Sequence, residues 1–337
     1  MPAIRCCARS TPSGHGTPSW CGLHSWVGVS RDGGATFEDT GYDDVYPVDQ
    51  ANPYRVAVHP FNGAKAVVAA RRGLPIAVTS DFGKTWKNAT GVTSVGQIGN
   101  FWYPQPMARE MQIDPASPEF TIFYYDGIGV LSVSHDSGAT FTPVYTSFPT
   151  WQVPFFAVAT PPRGVAAAGD VWVFAGWQLY HSVNGGVNMT HVWEFYHPGN
   201  AIAVGALPRT VAPSGRAERQ LAERCVTRGV NAAAATTPLP APRRLRDDAP
   251  AGYVVYVIGA QDFDQTFALF GSVDAGHTWL SLSGANSTTP EQALGDGAYV
   301  LEASEKDPGH IFVGTEGRGS FWRDVSAELR AALLACD

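Results

Sequence analysis

An eight-residue frame, S-x-D-x-G-x-T-aromatic, recurs along the chain and limits the fold more than any other feature. It reads Ser30-Arg31-Asp32-Gly33-Gly34-Ala35-Thr36-Phe37, then Ser134-His135-Asp136-Ser137-Gly138-Ala139-Thr140-Phe141, then Ser272-Val273-Asp274-Ala275-Gly276-His277-Thr278-Trp279. A copy that reads one residue shorter stands at Ser80-Asp81-Phe82-Gly83-Lys84-Thr85-Trp86, and a worn one at Ser182-Val183-Asn184-Gly185-Gly186. Its chemistry is that of a tight turn between strands. The carboxylate accepts turn amides, glycine supplies positive φ, and the hydroxyls close the ring. The aromatic residue begins the next strand. Repeated turns call for repeated carboxylates, so Asp32, Asp81, Asp136, Asp274 and the substituted Asn184 are expected to be structural. A spacing of about 50 residues in a strand-rich chain indicates a propeller or a similar array.

A second repeat runs between the turns. Short apolar stretches end at proline, as in Arg55–Pro60, Met111–Pro115, Phe156–Pro161 and Ile202–Pro208. Proline cannot donate to a ladder and closes a strand. Each is followed by a stiff run: Val67-Val68-Ala69, Ile122–Tyr125, Val171–Phe174, Val254–Ile258 and Ile311-Phe312-Val313. β-Branched and aromatic runs of this length read as strands. Two further strands flank each turn, which makes four strands per repeat, the content of a propeller blade. The fold class is therefore all-β: a β-propeller of four-stranded blades, about six of them recognisable at this spacing. Four blades look complete, and no strand pair is recognisable before the turn at Ser30.

The domain plan has four parts. Residues 1–25 read as an irregular N-terminal segment, 26–324 as the propeller, and 325–337 as a short amphipathic helix capped by Ser326, with Leu329 and Leu333 on one face. Within the propeller, 209–250 is an Arg/Ala/Pro-rich insert with eight arginines against four acids. Its composition points to a loop without regular structure; removing it restores the usual spacing between Ser182 and Ser272.

Composition bounds the partners. The net charge of −7 argues against nucleic acid, and the 16% charged and 12% aromatic residues suit a neutral partner such as a glycan. Cys6, Cys7, Cys21, Cys225 and Cys336 follow no metal or redox spacing. His181, His191 and His197 form no ligand pattern, so no metal or other cofactor is expected. No apolar run is long enough to span a membrane, and no secretory h-region is visible at the N-terminus. Three sequons (Asn88, Asn188, Asn286) are compatible with secretion.

Strand alternation puts the repeated turns at one end of each blade. The other end receives Phe101-Trp102-Tyr103 and Trp151 from links between blades, and Arg71, Arg72, Asp126, Trp177, Asp262-Phe263-Asp264, Glu316 and Arg318 from the turns joining second and third strands. Rings that stack on sugar faces beside acids that bind hydroxyls fit a glycan site, with Trp102, Tyr103, Trp151, Trp177 and Arg318 as binding candidates. Asp262 and Asp264 are the one close carboxylate pair among these turns, and general acid–base hydrolysis requires two acids at a set separation. With Asp126 and Glu316 they are the catalytic candidates.

The repeated frame resembles the Asp-box, or BNR, repeats of sialidases, family 74 glycoside hydrolases and sortilin-type receptors. From Trp26 to Asp324 the order of features is similar to the C-terminal propeller of family 74, the xyloglucanases. The carrying segments are MQIDPASPEFTIFYYDGIGVLSVSHDSGATF (Met111–Phe141), GDVWVFAGWQLYHSVNGG (Gly169–Gly186), GSVDAGHTW (Gly271–Trp279) and GHIFVGTEGRGSFWRD (Gly309–Asp324). In the last, Glu316 stands where the family has Asn. The resemblance implies two seven-bladed propellers around a glucan cleft, one catalytic Asp from each, and an extracellular setting. Neither catalytic stretch is found: Asp32-Gly33-Gly34 belongs to a repeated turn. The expectation is a polysaccharide- or oligosaccharide-binding propeller without the family's catalytic pair. The alternatives are a hydrolase with re-recruited acids, and a protein-binding propeller of the sortilin or photosystem assembly-factor kind.

Overall fold

The computed structural model describes residues 6–9, 19–23, 26–32, 34–46, 53–70, 76–92, 110–126, 129–148, 156–195, 197–207, 252–260, 268–282, 298–304, 307–315 and 319–329. Among them the strands form antiparallel meanders in which each strand pairs with its sequence neighbour. The first sheet holds β1 (Cys6–Arg9), β2 (Ser19–Leu23), β3 (Trp26–Ser30) and β4 (Glu38–Asp39). The second holds β5 (Pro53–Val58), β6 (Ala66–Ala70), β7 (Ala77–Thr79) and β8 (Lys87–Asn88). The third comprises β9 (Glu110–Ile113), β10 (Ile122–Tyr125), β11 (Leu131–Ser134) and β12 (Thr142–Tyr145). The fourth comprises β13 (Phe156–Ala159), β14 (Val171–Ala175), β15 (Gln178–Ser182) and β16 (Thr190–Glu194). In the fifth are β17 (His197–Ala206), β18 (Tyr253–Ala260), β19 (Ala268–Ser272) and β20 (Leu280–Ser281). The sixth has three strands, β21 (Ala298–Ala303), β22 (His310–Thr315) and β23 (Gly319–Asp324).

The stiff runs are the second strands β6, β10, β14, β18 and β22, and the first four contain completely buried residues such as Val67, Phe123, Trp172 and Val255. The first strands stop two residues short of Pro60, Pro115 and Pro161, where the ladder loses its donor. Two expectations change. The segment 1–25 is not irregular throughout, because β1 and β2 pair with each other and β2 pairs with β3. Pairing supplies there what residue preference lacks, since strand propensity depends on context. With them, five sheets rather than four have four strands. The insert 209–250 lies outside the described residues, but its flanks are joined: Leu207 N–H donates to the Gly252 carbonyl at 3.0 Å, next to the Ala206–Tyr253 pair.

By packing, the chain divides into residues 1–158 with 182–189, and 159–181 with 190–337. Within the first unit, Trp20, Val27, Val29 and Tyr42 of the first repeat bury against Val58, Ala66, Val68 and Ala77. On the other face of that second sheet, Ala57, Val67, Ala69 and Ile76 meet Met111, Ile122, Tyr124 and Phe141. Tyr42 comes from α1 (Tyr42–Val45), a single turn that the sequence did not announce. Within the second unit, Ala203, Val254, Tyr256, Ile258 and Leu269 pack on Leu301, Ile311, Val313, Val325 and Leu329. Full burial of each such aliphatic or aromatic side chain contributes roughly 1.5–3 kcal/mol. Residues 326–329 are helical and bury Leu329, while Leu333 lies outside the described residues. Asp324, rather than Ser326, caps this turn by accepting Ser326 N–H at 2.9 Å. No described helix is long and apolar enough to cross a membrane.

Candidate functional site

Each repeated turn closes by the same hydrogen bonds. In the first, Ser30 Oγ donates to Asp32 Oδ1 at 2.7 Å and accepts Gly34 N–H at 2.7 Å. The Thr36 amide donates to Asp32 Oδ1 at 2.9 Å, and its hydroxyl to Oδ2 at 2.6 Å. Ser272, Asp274, Gly276 and Thr278 repeat the set at 2.8, 2.8, 2.9 and 2.6 Å. Ser134, Asp136, Gly138 and Thr140 share its three common bonds. In the worn copy the Asn184 amide oxygen takes the carboxylate's place, accepting from Ser182 Oγ and Asn188 N–H. The residue before the glycine is left-handed even where it is Phe82, Ser137 or Ala275, a conformation that costs roughly 1–2 kcal/mol without glycine.

The second turn is not short. Thr79, not Ser80, provides its hydroxyl: Thr79 Oγ1 donates to Asp81 Oδ1 at 2.8 Å and accepts Gly83 N–H at 3.0 Å. The frame is thus eight residues long at Thr79–Trp86 as well. Strand alternation points Thr79 inward, at 3% exposure, and leaves Ser80 outside.

These bonds favour the ionised carboxylate. The Thr36 hydroxyl and amide and then Ser30 hold Asp32 well below the usual carboxylate range. At Asp81 and Asp136, partial burial pushes upward, but the bonds from Thr85 and Thr79, and from Thr140 and Ser134, outweigh it and leave both carboxyls lowered. A carboxylate committed to two or three turn donors is poorly suited to carry protons for a reaction at neutral pH.

At the opposite end of the sheets, the described candidates are Asp126 and Trp177. Asp126 is 3% exposed; its Oδ1 accepts Val130 N–H at 2.9 Å, and its own amide donates to the Val130 carbonyl at 3.1 Å. One oxygen of this catalytic candidate therefore closes the β10–β11 turn. Trp177 sits in the two-residue turn between β14 and β15, half-buried, and its carbonyl accepts Phe195 N–H at 2.8 Å. Phe101, Trp102, Tyr103, Trp151, Arg71, Arg72, Asp262, Phe263, Asp264, Glu316 and Arg318 lie outside the described residues.

The structure also assembles a polar cluster that the sequence did not reveal. Asp170, just before β14, bonds through Oδ1 to His181 Nε2 at 2.9 Å, and its Oδ2 accepts the Tyr253 hydroxyl at 3.2 Å. That hydroxyl is also 3.3 Å from His181 Nε2. Trp172 stacks on the imidazole with centroids 4.0 Å apart. Burial, and next the Asp170 charge, push the Tyr253 phenol well above its ordinary range, which keeps it a donor. The cluster ties the fourth sheet to the fifth. Its only sequence signal is an acid opening a second strand and a histidine preceding the turn serine. Among the described residues, no group of three His, Cys, Asp or Glu side chains is arranged to hold a metal.

No family model matches the sequence, and no curated protein matches it. Solved structures do. A GH74 enzyme from Niastella koreensis aligns at TM-score 0.59 and 18% identity, over 91% of this chain and 35% of that one. An ancestral GH74 enzyme aligns at 0.57 and 12%, over 96% and 38%. YCF48 bound to a D1 peptide aligns at 0.53 and 13%, over 96% and 77%. The chain spans little more than a third of the length of the two GH74 enzymes. At such identities the likeness is one of fold, and the fold is an all-β propeller with five four-stranded blades.

Proposed function

We propose that the chain is a glycan-binding propeller of the Asp-box type, in which the three-stranded sheet counts as a sixth blade and the family's catalytic pair is missing. The reading rests on one observation. In four of the sheets the repeated turn ties up its own carboxylate, so the end left for recognition is the one carrying the aromatic- and acid-bearing loops. The hydrogen-bond set shared by all five turns supports the Asp-box assignment. A glucan would lie on Trp102, Trp151 and Trp177, with Tyr103, Arg318 and the acids at 262, 264 and 316 taking its hydroxyls.

Titration calorimetry with xyloglucan oligosaccharides tests this. Trp102→Ala, Trp151→Ala and Trp177→Ala each weaken binding roughly tenfold, consistent with losing one stacked ring at 1–3 kcal/mol in analogous ring stacking, and the fold survives. Asp136→Ala and Asp274→Ala lower the melting temperature instead. Binding lost in these two at full stability inverts the assignment of ends. Reducing-sugar release abolished by Asp262→Asn or Asp264→Asn establishes a hydrolase in place of a binder.

A second reading has its own support: the alignment covers 77% of a propeller bound to a peptide, against little more than a third of the glycan enzymes. A wild-type chain that binds no glucan but binds extended peptides at the same end puts this reading first.

A further inference from the structure

The spacing of the cysteines suggests no pairing, but the register of the first sheet does. β1 and β2 pair antiparallel with Cys7 directly opposite Cys21, and β2 pairs with β3 so that Gly28 stands opposite Cys21 in turn. Directly opposed residues of an antiparallel pair share a face of the pleat, with Cα atoms about 4.5 or 5.5 Å apart according to their place in the ladder. A disulfide spans Cα atoms roughly 4.4–6.8 Å apart, so either kind of opposed pair is within its reach.

The adjacent cysteine is placed differently. Successive residues alternate between faces, and Cys6 stands opposite Gly22. That is the face of Trp20, which is completely buried against Val58, Ala66 and Val68. Cys7 and Cys21 fall on the other face, in one row with Gly28. Gly28 is buried because the Trp26 indole folds over it: a methyl group added there would stand 1.9 Å from the ring. Neighbouring strands lie about 4.7–4.9 Å apart, so this ring covers the position one strand away from Cys21.

We propose that Cys7 and Cys21 are joined by a disulfide that fixes the register of β1 against β2. The bond forms by exchange with a small-molecule disulfide such as oxidised glutathione. One protein thiolate attacks it and releases one reduced glutathione; the other then attacks the mixed disulfide and releases a second. The protein gains one S–S bond and gives up two electrons and two protons, which leave with the two released thiols. The need for the bond is local. Cys6–Arg9 has little strand preference, and a slip of one residue carries every side chain of a strand to the opposite face. A covalent bond between opposed residues forbids the slip. It also closes the loop of residues 7–21, which removes freedom from the unfolded chain.

The test uses the full chain, equilibrated with excess oxidised glutathione, alkylated without reduction and digested with trypsin. Cleavage after Arg5, Arg9 and Arg31 isolates residues 6–9 and 10–31. Mass spectrometry finds the two peptides linked, lighter together by two hydrogens than the reduced pair. Cys6→Ser keeps the link, whereas Cys7→Ser and Cys21→Ser each abolish it. Reducing the wild type lowers its melting temperature by roughly 5 °C. It also brightens tryptophan emission, because a disulfide quenches a nearby indole, and Trp26→Phe diminishes that brightening. The wild-type peptide map stands whether or not a variant folds. Both cysteines found free, or each carrying its own glutathione, overturns the proposal. So does a link that survives Cys7→Ser but not Cys6→Ser, or one that runs from Cys21 to Cys225 or Cys336. A melting temperature that reduction leaves unchanged, or a brightening that Trp26→Phe leaves whole, overturns it as well.

Discussion

Two hydroxyls stand side by side at the end of β7, and one of them closes the turn. Thr79 accepts the Gly83 amide at 3.0 Å in a buried setting, so Thr79→Val leaves that donor without an acceptor at nearly constant volume. An orphaned buried donor costs ~1–3 kcal/mol; urea melts of Thr79→Val should show a loss of that size, and Ser80→Ala less than about 0.5 kcal/mol. The motif letters favour Ser80, because a pattern of residue types does not report which neighbour the pleat turns inward. The carboxylates carry a second expectation. Asp32, Asp81 and Asp136 have folded-state pKa values below the unfolded value of about 3.9. A lowered pKa means that the stabilisation is complete above the unfolded value and is lost as pH falls through the folded one. Melting temperature should therefore be little affected by these groups between about pH 5 and 7 and decline below about pH 4. The triple change to Asn should melt lower at neutral pH and show a shallower acid decline. An unchanged acid slope would remove these groups from the account.

Elements were legible where the chain supplies stiff apolar runs and stops them with proline, as in β6, β10, β14 and β18. They were illegible where pairing alone makes the strand. Cys6–Arg9 has little strand preference and is ordered by Ser19–Leu23 beside it; the helical turn after β4 rests on Tyr42, which is fully buried. The Asp170–His181–Tyr253 cluster was hidden for a related reason: its members are 11 and 72 residues apart, and only the stacking of sheets brings them together. The insert is the opposite case, an anomaly of spacing visible from sequence, and its closed flanks make a test possible. Joining Leu207 to Gly252 through Asn-Gly, a two-residue hairpin turn, should leave the melting temperature within about 2 °C of wild type, since loop closure costs little more for long loops than short ones. Loss of a single cooperative transition in the deletion would show that 209–250 contributes to the fold.

Across the whole molecule, burial is uneven in a way that hydrogen exchange can read. β10 and β14 are buried at every position, whereas β22 alternates between buried and open. In dilute solution the amides of β22 should exchange faster than those of β10, because local opening there uncovers less apolar surface; equal protection would mean that the open row is covered. The overall plan was readable from the turn spacing, which reports a repeat whatever fills it. The loops proposed for recognition were readable only as a roll of residue types, since no periodicity governs a loop. The one-sided seating of the turn glycines has a genealogical consequence. At Gly83, Gly138, Gly186 and Gly276 the turn seats against the sheet before its own, so a unit of about 50 residues carries there a tab that fits its predecessor, which in turn supplies the slot. Such a unit can be copied in tandem, or dropped, without redesigning either neighbour, provided that the cut falls at the same phase. Duplication or loss of whole units at that phase should therefore leave a chain that still folds.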